Sequence, residues 1–179
     1  MRYWLKHGHL IPLKRGVYVL SEDLRKGPLS MGFLSNYLLS PSYVSLEYAL
    51  SYYDLIPEKV LVYTSITTKK TTEYTAAIGK FNYHSVKESL FGGFTKSVDN
   101  GQSYFIAYPE KALLDFFYFH RELKGAKGEF ESYRFQNLEI LNFRRFDKLK
   151  TNYNKKTNTI ARSFIKFCKL EKKRYKALK

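Results

Sequence analysis

The sequence has one cysteine, one tryptophan, two methionines and only 16 acidic residues in 179. The single Cys168 excludes an intrachain disulfide and a cysteine-based zinc cluster, and it fits a reducing compartment. No apolar run approaches the ~18 residues of a membrane-spanning helix. The opening Met1-Arg2-Tyr3-Trp4-Leu5-Lys6-His7 has no apolar core of a secretory signal. A cytoplasmic protein without a membrane partner is therefore expected. Internal repeats and low-complexity linkers are also missing. A chain of this length buries roughly 70% of its unfolded surface and needs no disulfide to fold.

Residue patterns for catalysis are equally sparse. His7-x-His9 offers two metal ligands with no cysteine or carboxylate nearby in sequence, and His84 and His120 are isolated. Cys168 falls on the apolar face of a helix with no base at helical spacing. Glu58-Lys59 and Glu110-Lys111 resemble the carboxylate–lysine pair of metal-dependent nucleases, but neither comes with the second carboxylate on an adjacent strand that a divalent cation needs. Asp115 stands five residues beyond Glu110, too far round a helix to sit beside it. Gly92-Gly93 lacks the following Lys-Ser/Thr of a phosphate-binding loop. No catalytic residue, metal or cofactor is assigned, and an enzyme is not expected.

What is abundant is positive charge: 31 Lys and Arg, a formal net charge of +15 and a pI near 9.7. Residues 1–30 carry six basic and two acidic groups, residues 31–143 eleven and twelve, and residues 144–179 fourteen and two. Codon bias explains many lysines, yet it supplies glutamate as readily and does not produce a neutral middle between basic ends. Such ends attract phosphate backbones and release condensed counterions, which makes DNA, as operator or general duplex, the expected partner.

The order of elements predicts an α+β fold. Arg2–Lys6 reads as the end of a helix stopped by Gly8. His9–Leu13 and Val17–Leu20 form a hairpin about a Lys14-Arg15-Gly16 turn, with Pro12 suited to an edge strand. Leu29–Leu39 reads as a helix. A second helix starts at Ser42 as N-cap, carries Val44, Tyr48 and Leu50, and ends near Asp54. Strands are expected over 60–67, 73–78, 80–86 and 104–108, with turns at Gly92-Gly93 and Asn100-Gly101. Pro109 opens a buried helix through His120, and residues 125–128 read as a loop. The end is helical, with Phe146, Leu149 and Tyr153 on one face and Ile160, Ala161, Phe164, Ile165 and Cys168 on another. The opposite face of the last helix holds Arg162, Lys166, Lys169, Lys172 and Lys173. These five are candidate phosphate contacts. So are Lys14 and Arg15 at the hairpin tip, while Arg2, Tyr3 and Lys6 would sit at a groove.

Three segments carry a resemblance: Leu13-Lys14-Arg15-Gly16-Val17-Tyr18-Val19; Ser40-Pro41-Ser42-Tyr43-Val44-Ser45-Leu46-Glu47-Tyr48-Ala49-Leu50; and Ala107-Tyr108-Pro109-Glu110-Lys111-Ala112-Leu113-Leu114-Asp115. In this order they resemble AbiEi-type antitoxins of type IV toxin–antitoxin and abortive-infection (phage defence) systems. The resemblance spans about residues 10–167. It implies a winged helix-turn-helix that represses its own operon, followed by a domain that neutralises a nucleotidyltransferase toxin. A full winged helix has about 60 residues, so residues 1–27 would be an N-terminally truncated remnant: the end of a recognition helix and its wing. Residues 28–179 would be the antitoxin-type α/β domain, with a mixed sheet of four or five strands and the basic C-terminal helices. Tyr43, Glu47, Glu110 and Lys111 in the family-like segments are the candidate toxin contacts, although these segments read at least as much as structural anchors, with Val44, Tyr48 and Leu50 packing one helix and Pro109 and Glu110 starting a buried one. The other reading is a basic nucleic-acid-binding protein with no toxin partner.

Overall fold

A computed structural model describes residues 1–177, with side chains described through Lys172. The fold is α+β, with a mixed six-stranded sheet and C-terminal helices. The chain folds into two compact units interleaved in sequence. One comprises residues 1–44 and 60–106, the other residues 45–59 and those from Ala107 onward.

The first unit begins with α1 (Arg2–Lys6) and the antiparallel hairpin β1 (Leu10–Lys14) and β2 (Val17–Leu20). Gly16 turns it at φ +79°, a conformation that costs glycine little. Next come α2 (Met31–Leu38), β3 (Ser42–Val44), β4 (Tyr63–Thr67), β5 (Thr72–Ala76), β6 (Gly79–Ser85), β7 (Phe94–Asp99) and β8 (Gln102–Ala107). Ser30 caps α2, its hydroxyl accepting from the Phe33 N–H at 3.2 Å. The sheet order is β5-β6-β4-β3-β8-β7. β5 with β6 and β3 with β4 are antiparallel, whereas β4 with β6 and β3 with β8 are parallel. Asn100 and Gly101 join β7 to β8 with both φ angles positive, the combination a two-residue hairpin turn favours.

The hairpin of residues 1–27 shares its core with α2 and the sheet. Leu13 is buried with Leu34, Leu38, Phe81 and Tyr83, and Val17 and Val19 pack against this cluster. Apolar residues on alternate hairpin positions need such a surface, since a lone two-stranded hairpin is marginal in water.

The sheet also corrects the expected helix from Ser42. Ser42, Tyr43 and Val44 form β3, inserted between β4 and β8, and all three are buried. Tyr43 and Val44 are good strand formers, and hydrogen bonding on both edges outweighs the helix-like spacing of Val44 and Tyr48. Strand β7 had no expectation in the sequence. Its burial is mostly partial and it lies at the sheet edge, which leaves a weak alternation.

The second unit is helical: α3 (Leu46–Tyr52), α4 (Pro109–Phe119), α5 (Lys127–Ser132), α6 (Phe143–Lys150) and α7 (Lys155–Ala177). α5 replaces part of the loop expected over 125–128. The Glu129 carboxylate reaches back to the N–H groups of Lys124, Gly125 and Ala126, satisfying donors that the helix start leaves open. The core is a seam of aromatic rings. Phe164 of α7 is fully buried, with ring centroids 5.3 Å from Phe117, 5.2 Å from Phe130 and 5.0 Å from Phe135. Ile160, Ala161, Phe167 and Cys168 extend the buried face. Burial pushes the Cys168 thiol up to about 12, so it stays protonated and packs as a small apolar group. Among the described residues no helix is long and apolar enough to cross a membrane.

A tight approach in the first unit supplies a test. A Cβ on Gly32 of α2 would come 2.6 Å from the ring of Tyr104, itself buried in β8. Alanine ordinarily favours a helix over glycine by about 1 kcal/mol. Here overpacking costs ~1–3 kcal/mol, so Gly32→Ala is expected to lower stability by about 1 kcal/mol net. Urea denaturation measures it, and a stabilised variant would show that Tyr104 yields freely.

Candidate nucleic-acid interface

α7 is long enough to put two faces to different use. Ile160, Phe164, Phe167 and Cys168 face the aromatic core. Arg162, Lys166, Lys169 and Lys172 are all exposed, as the periodicity implied, and the Lys173 side chain lies outside the described residues. Lys155, at the start of α7, is exposed seven residues before Arg162 and so falls on the same face. Sequence reading missed it, although the seven-residue spacing was the available signal. Lys155, Arg162, Lys166 and Lys169 form a stripe of ~21 Å at 1.5 Å per residue, while Lys172 lies off to one side. That is about six base pairs of duplex at 3.4 Å each.

The N-terminal candidates fall in the first unit. Arg2, Tyr3 and Lys6 are exposed on α1, and Arg15 is exposed at the hairpin tip. Lys14 behaves otherwise: its ammonium donates to the Leu38 carbonyl and lies 5.5 Å from the centroid of the Tyr74 ring. The hairpin tip therefore offers one outward cation where the sequence suggested two.

Three of the four candidate toxin contacts are buried and hold the protein's own structure. Tyr43 is fully buried, stacked 4.8 Å from Phe94 and tilted against Phe91 at 5.2 Å. Glu110 is fully buried in the first turn of α4, where its carboxylate favours the helix dipole. It accepts from the Asn142 N–H at 2.6 Å and from Arg145 at 3.4 Å, and Arg145 also stacks 4.0 Å over Tyr108. Lys111 is 2% exposed and donates to Asp115 at 2.6 Å. Burial of the charged two is consistent with a structural-anchor role, and the partners that permit it are distant in sequence or one turn away. Only Glu47 remains near the surface.

The helical unit also holds a buried cluster that sequence reading did not see. The Asp115 carboxylate accepts from Ser45 Oγ at 2.7 Å, from Lys111 Nζ at 2.6 Å and from Tyr153 Oη at 2.6 Å. Lys111 also donates to Tyr153. All four are at most 6% exposed, so the cluster ties together the start of α3, the middle of α4 and the turn before α7 rather than meeting a substrate. Only the four-residue Lys111–Asp115 spacing hinted at it. Next to Ser45, buried Leu46 adopts φ +57°, a conformation that costs a non-glycine residue ~1–2 kcal/mol.

A second cluster centres on His120 at the end of α4. Its Nε2 lies 2.8 Å from Glu47 and its Nδ1 2.7 Å from Glu122, with the ring 4.0 Å from Phe116. The bond to Glu47 raises the His120 pKa above its ordinary 6.5; burial opposes the rise, and Glu122 adds to it. Among the described residues no group of three or more His, Cys, Asp or Glu is placed to hold a metal ion.

No protein-family model matches this chain, nor does any curated protein.

Two outcomes follow. Asp115→Ala leaves the Lys111 ammonium buried without its carboxylate, which is expected to cost roughly 3–5 kcal/mol in urea denaturation. A loss below about 1 kcal/mol would show that water reaches the pair. For His120, a folded-state pKa above the unfolded one stabilises fully below pH 6.5 and is lost as pH rises through the folded value. The melting temperature is expected to fall over the pH range just above 6.5, with that component missing in His120→Gln. An unchanged pH profile in the variant would place the titration elsewhere.

Proposed function

We propose that this chain is a non-enzymatic, DNA-associated regulator: the antitoxin and autorepressor of an AbiE-like pair, neutralising a nucleotidyltransferase toxin in the cytoplasm. The observation that carries the DNA part is the α7 stripe, four exposed cations on the face opposite a buried aromatic seam. Lysine presents a mobile point charge and the stripe has a single arginine, so it suits phosphates better than base edges. Binding through the stripe is therefore expected to be weakly sequence-selective. The antitoxin part rests on the three family-like segments. Tyr43, Glu110 and Lys111 are buried, which leaves Glu47 as the direct contact among the four candidates.

A nucleic-acid-binding protein with no toxin partner is the second reading, and the same stripe favours it because phosphate binding needs no toxin. Co-expression with a nucleotidyltransferase toxin of an AbiE-type pair separates the two. Restored growth supports the antitoxin, and unrelieved toxicity leaves the second reading. For the DNA surface, four phosphate contacts predict a log–log salt slope of about −4 on duplex DNA. Changing Lys155, Arg162, Lys166 and Lys169 to Gln is expected to remove most of that slope. Lys14→Ala with Arg15→Ala should remove about one contact. An equal or larger loss from the hairpin pair would assign the main DNA contact to the hairpin.

A further inference from the structure

The first twenty-one residues contain Arg2, Lys6, Lys14 and Arg15 and no acidic residue; the first carboxylates are Glu22 and Asp23. Four aromatic rings gather in this segment. Tyr3 lies 4.0 Å from His7, His7 stacks 6.2 Å from His9 at 18°, and Trp4 meets His9 edge-on at 5.5 Å. The fold gathers them by local contacts: Tyr3 and His7 are one helical turn apart, and the His9 N–H donates to the Trp4 carbonyl at 2.9 Å. His7 Nδ1 also meets the Tyr3 carbonyl at 2.8 Å, which holds the ring in place. Tyr3 is nonetheless 64% exposed and Trp4 44% exposed. Large flat rings held rigid, exposed and flanked by Arg2 and Lys6 are ill suited to a purely solvated surface.

The geometry points to a stacking platform for unpaired nucleobases, separate from the phosphate stripe of α7. An exposed aromatic surface flanked by Arg2 and Lys6, with the Asp23 carboxylate confined to its His9 end, matches a polyanion with exposed aromatic faces, which is single-stranded nucleic acid. With one side of Tyr3 against His7, the other remains for a base to extend the ladder. Phosphates on either side reach Arg2 and Lys6. Duplex DNA fits less well, because its bases present only edges in the grooves and α1 is a single short turn of five residues.

Trp4 is the only tryptophan, so its fluorescence reports on the ladder alone. The full chain is titrated at low salt with a short oligothymidylate and, separately, with a duplex of the same length. The single strand is expected to quench Trp4 emission and the duplex to leave it nearly unchanged. Tyr3→Ala with His7→Ala is expected to weaken single-strand binding about tenfold, as stacking of one base is worth ~1–3 kcal/mol. Both residues are exposed, and circular dichroism checks that the variant keeps its fold. The chain with Lys155, Arg162, Lys166 and Lys169 changed to Gln should retain the single-strand quench, which keeps this test apart from that of α7. Equal quenching by duplex, no quenching by either probe, or unchanged affinity in the folded Tyr3/His7 variant overturns the proposal.

Discussion

The buried Lys111–Asp115 ion pair is the constraint on which the helical unit depends. Removing two charges from water costs several kcal/mol each, and attraction alone repays this only when the remaining hydrogen-bonding capacity is filled. Here Ser45 and Tyr153 supply it. Because those hydroxyls come from the start of α3 and the turn before α7, the cost is offset only when three separated stretches of chain meet. The pair therefore acts as a specificity device: a shift of α4 by one residue would strand an ammonium in the core.

That constraint sets which way α7 faces. Tyr153 fixes the helix at its entry, and Phe164 locks its middle into the aromatic seam. With those two points set, the 3.6-residue period turns Lys155, Arg162, Lys166 and Lys169 outward in one line. The stripe is thus a consequence of what is buried behind it. The two extremes of the composition, aromatic residues and lysine, meet on opposite faces of one helix.

Much of this was legible in the sequence where a residue's local chemistry agreed with its tertiary setting. The hairpin about Gly16, the helix opening at Pro109 and the amphipathic α7 all announce themselves through turn residues or periodicity. Legibility failed where pairing across distance decides. Ser42–Val44 is a three-residue strand whose helical-looking spacing loses to two hydrogen-bonded neighbours. Lys127–Ser132 is a helix despite Gly128, since Glu129 closes its first turn. The burial of Glu110 and Lys111 is not legible locally, because Asn142, Arg145 and Tyr153, which help to satisfy them, lie more than thirty residues away. Lys14 pointed outward on the sequence, yet the Leu38 carbonyl captures its amine.

The central claim is that the outer face of α7 is where this protein meets DNA. Lysine acetylation footprinting with and without duplex DNA tests it most directly, because it reads every lysine in the unaltered chain at once. The account predicts protection of Lys155, Lys166 and Lys169, with Lys69, Lys70 and Lys96 of the first unit, all exposed, as reactive as before. Protection spread evenly over all exposed lysines, or confined to the first unit, would contradict it.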